Sequence, residues 1–325
     1  MRKVFLGFVL VCFACLAGVA SAASQAFPSR PVTLIVPFPA GGITDIIARV
    51  LAEGMRASLG QPVVVENVAG AGGTIGVSRL ARATHDGYTI GIGQWTSHVG
   101  GSAMYNLPFD MHTDLQPISV LTSGPLWIVG RKDLPASNVK ELIAWLKANS
   151  KSTAGTIGVG SGAHMCLIYF SNETGAPINA VPYRGAAPAM QDLLAGTIDL
   201  FCPEAGQTLS QYRAGSVKAY AVLTEKRWFA APDVPTIDEA GVPGVHFPFW
   251  HGMWAPKGVP ADALAKLSAA VVAALADPAA RKRFTDLGHE VAPREQQTPE
   301  GLAAYHKAET DKWWPIIKAA NLKMQ

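Results

Sequence analysis

Five loops carry the residue types able to do chemistry in this chain. They are Phe38-Pro39-Ala40-Gly41-Gly42 running on to Asp45, then Gly72-Gly73-Thr74, then Trp95-Thr96-Ser97-His98. The other two are the run holding Gly160, Ser161 and His164, and Tyr183-Arg184-Gly185. Each follows an apolar run and precedes a helical pattern. Glycines directly before a helix leave backbone N–H groups uncovered, and the helix start adds about half a positive charge. That chemistry is the binding of an anion, a carboxylate above all, with no fixed cation required. The competing reading of the first loop is a plain tight turn, with Thr44 or Asp45 as a helix cap. His98 and His164, at two loop ends, read either as ligand contacts or as ordinary hydrogen-bonding residues.

Signals for catalysis are sparse. No serine has glycine at both −2 and +2, and there is no Walker loop and no H-E-x-x-H. Ser161 with His164 is the one nucleophile–base pair on offer. Gly158-x-Gly160-x-x-Ala163 fits the loose dinucleotide pattern, but no acidic residue ends a strand about 20 residues on, so no cofactor is expected. His246 and His251 are badly spaced for a shared helix face, and no metal is expected. His85, His112, His289 and His306 read as surface residues.

The loops need a scaffold, and the sequence alternates strand and helix to supply one. Strands are expected at 31–36, 63–65, 88–92, 156–159, 180–181, 198–201 and 217–223, with an extended stretch at 244–255. Helices are expected after each of the first two loops and at 97–105, 139–148 (capped at Ser137-Asn138), 163–173, 187–194 and 204–212. Three more close the chain, the last kinked at Pro315. The run Pro117 to Val129 is long for one strand and is expected to pass between domains. This pattern argues for an α/β protein of two doubly wound lobes, with parallel sheets and the ligand between the lobes.

Composition agrees. At 325 residues two domains are expected, and 49% hydrophobic against 16% charged residues excludes a disordered chain. A net charge of +3 over this length gives no footprint for nucleic acid. Arg2-Lys3, an apolar stretch to Ala20 and Ala20-Ser21-Ala22 read as a signal peptide, residues 1–22, cleaved near Ala22. No later segment reaches 18 apolar residues, so a soluble, periplasmic protein is expected. Cys12 and Cys15 leave with the peptide. Cys166 and Cys202 remain, either as free thiols or as a disulfide.

The runs PSRPVTLIVPFPAGGITDIIARVLAEGM, GQPVVVENVAGAGGTIG and DGYTIGIG, followed by PYRGAAPAMQDLLAGTIDLF and WHGMWAPKGVP, resemble the receptor family of tripartite tricarboxylate transporters, the Bug proteins. The resemblance implies a periplasmic solute-binding protein that closes like a flytrap on a carboxylate. It also implies permease subunits as partner, a monomer, and no catalysis. Residues 23–122 with 226–325 would form the first lobe and 123–225 the second. The five loops would hold the ligand, together with Trp250 and His251. Phe201-Cys202-Pro203-Glu204 departs from the family's Phe-Asp pattern. Glu204 would either face solvent from a first helical turn or accept a hydrogen bond from a ligand hydroxyl, amine or protonated acid. Trp95 would either pack in the core or wall the site, which would favour an aromatic or less polar acid over citrate. The alternatives are a sensor for a signalling membrane protein and a cleft hydrolase or decarboxylase.

Overall fold

The computed structural model describes residues 27–319; the signal-peptide assignment and the last residues lie outside them. The first lobe begins β1 (Val32–Val36), α1 (Ile43–Leu59), β2 (Val63–Asn67), α2 (Thr74–Ala81) and β3 (Thr89–Gln94). A π-type turn at Thr96–Gly100 runs into the single turn α3 (Gly101–Met104). The amphipathic face of α1 buries Ile43, Ile47, Val50, Leu51 and Met55. Each such side chain contributes about 1.5–3 kcal/mol on burial. Gly54 lets a later helix, α8 (Ala261–Ala276), come close: a Cβ at Gly54 would stand 2.7 Å from that of Ala274.

β4 (Leu115–Pro125) and β5 (Trp127–Arg131) divide the long run between two sheets. The second lobe continues α4 (Val139–Ala148), β6 (Thr153–Thr156), α5 (Gly162–Thr174), β7 (Asn179–Pro182) and α6 (Ala186–Ala195). It ends with β8 (Leu200–Phe201), the short α7 (Leu209–Arg213) and β9 (Val217–Val222). Asn138 caps α4 by accepting from the Glu141 N–H at 2.9 Å, and Glu141 accepts from the Ser137 N–H in return. The chain then re-enters the first sheet as β10 (Pro248–Pro256), followed by α8, α9 (Pro278–Asp286), β11 (Glu290–Val291) and α10 (Pro299–Ala319). Helix α10 continues through Pro315.

The sheets are mixed rather than parallel. The first has the order β11-β4-β10-β3-β1-β2; β1 runs parallel to β2 and β3, while β10 is antiparallel to both β3 and β4. The second has the order β7-β6-β8-β5-β9, with β6 parallel to β7 and β8, and β5 antiparallel to β8 and β9. The cause is the crossing: one strand leaves the first lobe and another returns beside it in the opposite sense. Strand β6 also ends at Thr156 rather than Val159, because Gly158 and Gly160 take positive φ angles of 110° and 75°. After β9, Trp228, Ala231 and Val234 pack with Trp127 and Phe201 of the second lobe, and Thr236 bridges Val222. Cys166 of α5 and Cys202 after β8 form a disulfide, Cα–Cα 6.4 Å.

Candidate functional site

The first-lobe loops and the loop after β6 meet at one place. Phe38 stands over Gly73, where a Cβ would lie 3.1 Å from its ring, and the Ser97 Cβ would be 2.8 Å away. Across the lobes the Gly162 N–H donates to Thr96 Oγ1 at 3.2 Å, and a Cβ on Gly160 would collide with Met104. The Tyr183–Gly185 turn is tied to its own lobe: Tyr183 N–H donates to Thr156 O, and its hydroxyl donates to Asp192 at 2.6 Å. Burial and that carboxylate push the Tyr183 hydroxyl up to about 12. Arg184 is exposed and makes no ion pair among the described residues.

Pro39, Ala40, Gly41 and Gly42 are exposed. Gly42, Gly73 and Gly185 are the N-caps of α1, α2 and α6, and none supplies a side-chain cap. The starts of α1 and α6 therefore present unpaired N–H donors, whereas at α2 the Thr74 N–H is already held by Ala71 O. By contrast α5 is capped by Ser161, whose Oγ accepts from the His164 N–H. His164 Nδ1 accepts from the Gly160 N–H at 3.0 Å, so the ring proton sits on Nε2 and is free to donate. Burial lowers the His164 pKa and keeps the ring neutral. A groove of 760 Å³ lies elsewhere on the first lobe, lined by Thr33, Glu66, Arg79, Arg82 and Tyr105 among others. It shares Thr74 with the loops but includes no second-lobe residue.

Several expected site residues serve the scaffold instead. Asp45 is buried and accepts from the Gly41 N–H, the Arg49 guanidinium and the Asn67 amide, which also donates to Phe38 O. Although burial opposes it, those donors hold its carboxyl below the usual range. It positions the first loop. Asp45→Ala is expected to cost about 2 kcal/mol, from the two donors left without an acceptor rather than from the half-exposed arginine; urea unfolding checks this.

Trp95 is fully buried edge-on to Phe247 and Trp313. With no surface left open, it packs in the core rather than walling a cleft. Trp250 faces α10, donating from Nε1 to Glu309 at 3.2 Å. His98 stacks on Trp254 at 3.8 Å and holds Ser97 Oγ at 2.9 Å, inside the first lobe. His85 and His112 are exposed as expected, whereas His306 and His289 are buried, because α10 and the segment before β11 fold over the sheet.

Glu204 does not face solvent. It is 4% exposed, turned inward by its bridge to Leu126, with Oε1 2.8 Å from His289 Nε2. His251 lies beside them, its Nε2 3.1 Å from Thr44 Oγ1. Burial, and then His289, keep His251 well below its ordinary pKa. His289 was not found from the sequence. It lies 38 residues from its partner histidine, and its one local signal is a place between a helix end and a two-residue strand.

Two α/β lobes joined by crossing strands, with donor-rich loops between them, define a solute-binding protein. The family described as tripartite tricarboxylate transporter family receptor matches residues 47–322, and the chain belongs to it. Among solved structures it is similar to the periplasmic binding protein BugD, at 42% identity and TM-score 0.84, covering 92% of this chain and all of that one. It is also similar to MatC from Rhodopseudomonas palustris with bound malate, at 35% identity and TM-score 0.83, covering 90% of this chain and all of that one. A third is an R. palustris protein with adipate, at 32% identity and TM-score 0.84, covering 91% and 98% of the two chains.

Proposed function

We propose that this protein is an exported, monomeric receptor that captures a small dicarboxylate between its lobes and delivers it to the permease subunits of a tripartite transporter, without catalysis. The observation that carries the reading is the pair of glycine-capped helix starts, α1 and α6, one on each lobe, with no side-chain cap. A carboxylate satisfies such donors with charge-assisted bonds of about 1.5–3 kcal/mol each. We place its contacts at the backbone of residues 39–42 and 72–74, at Thr96 and His164, and at Arg184-Gly185. With Trp95 in the core, it gives no support to an aromatic acid. The family and the malate- and adipate-bound relatives favour an aliphatic dicarboxylate.

The test is a thermal-shift panel of mono-, di-, tri- and aromatic carboxylates on the chain starting at Ala23, refolded to strip bound acid. A ligand at a hundred times its Kd adds about 2.7 kcal/mol, a rise of several degrees. A shift from an aliphatic dicarboxylate supports the reading; a flat panel on a folded protein rejects it. His164→Ala is expected to weaken the best ligand about ten- to hundredfold by calorimetry, with little change in melting temperature.

A further inference from the structure

We infer that Glu204, His251 and His289 form a binding site for a divalent transition-metal ion, zinc by the chemistry of the set, that ties the two lobes together where the strands cross. One ligand atom from each lies within 4.8 Å of the others, and all three residues are buried. Glu204 Oε1 and Oε2, His251 Nδ1 and His289 Nε2 are each without a hydrogen-bond partner. Buried polar atoms are normally paired, so four unpaired ones in a single cluster need an explanation.

An ordinary Glu–His pair does not supply it. Oε1 and Nε2 approach to 2.8 Å without the alignment of a hydrogen bond, and such a bond would still leave Oε2 and His251 Nδ1 alone. The opposite ring nitrogens are occupied. His251 Nε2 meets Thr44 Oγ1 at 3.1 Å, and His289 Nδ1 meets Thr122 Oγ1 at 3.2 Å. Each hydroxyl fixes its ring so that the free nitrogen points into the cluster, as the supporting hydrogen bonds of metal-bound histidines do. Room is kept by Gly124, whose Cβ would lie 3.2 Å from His289 Nε2 and 3.4 Å from Glu204 Oε1.

Two imidazole nitrogens with one carboxylate oxygen suit zinc, and three protein ligands leave a fourth position open. Glu204 follows β8 of the second sheet, whereas His251 is in β10 and His289 precedes β11 of the first. A bound ion therefore spans the lobes. This site does not depend on the carboxylate reading.

The test uses the chain from Ala23 without a histidine tag, demetallated with dipicolinate and titrated with zinc chloride against a chromophoric chelator, with no carboxylate ligand present. One zinc per chain at submicromolar Kd is expected, weakened at least a hundredfold in Glu204→Gln and in His289→Gln. No stoichiometric binding by the folded wild type, or full-strength binding in both variants, overturns the site. Cobalt(II) on the wild type gives an answer that needs no variant to fold. Intense visible bands of a four- or five-coordinate ion are expected, and a pale octahedral spectrum overturns it.

Discussion

Replacing Cys166 and Cys202 together with alanine is expected to remove about 4 kcal/mol of stability. The bridge joins residues 36 apart, and closing a loop of that length in the unfolded chain costs about that much in entropy. It ties α5, whose first turn carries Ser161 and His164, to the end of β8 just ahead of Glu204. Both sulfurs are fully buried among apolar side chains, so the alanines leave small gaps that add to the loss. Urea unfolding of the double variant against the wild type measures it. Thiol titration of the unfolded, unreduced chain from Ala23 should find no free thiol. An unchanged unfolding midpoint would show that the covalent link does not support this part of the fold.

Acid is expected to destabilise the protein steeply below pH 6.5. Burial, and then His112, bring the His306 pKa down from 6.5 to about 4, and burial holds His98 well below its ordinary value. The unfolded chain takes up these protons near pH 6.5 and the folded chain only at lower pH. Stability is therefore fully present above 6.5 and is lost as pH falls toward 4. His306 alone accounts for about 3 kcal/mol, and His98 adds to it. His306 is enclosed by His98, His112, Trp250 and Trp254, and its Nε2 meets His98 O at 3.1 Å. His306→Gln can retain that donor while removing one titration. Unfolding free energies measured from pH 7.5 to 4.5 should fall steeply in the wild type and less so in the variant. A flat wild-type profile would contradict the burial of these rings.

The sequence made the scaffold legible because the scaffold is written locally. The apolar run at 32–36, the glycines at 41–42 and the periodic face of α1 are neighbours in the chain, and each supports the next. The crossing between lobes could be read from the length of one apolar run. Side-chain direction was not legible, since distant residues set it. Trp95 sits in a polar loop, yet Phe247 and Trp313, more than 150 residues away, cover it. Asp45 looks like a cap or a ligand contact until Asn67 and Arg49 close around it. Glu204, His251 and His289 are separated by 47 and 38 residues, and only the crossing of the sheets brings them together.

The proposed function requires uncapped helix starts on two lobes to bind the charge of a small dicarboxylate. Calorimetric titration of the refolded chain with malate or adipate, each beside its uncharged diamide, tests it most directly. Micromolar or tighter binding of at least one diacid is expected, with a loss of at least a hundredfold for its diamide, because hydrogen bonds to a charged acceptor are about twice as strong as neutral ones. Equal binding of diacid and diamide, or binding of neither by the folded protein, would contradict it.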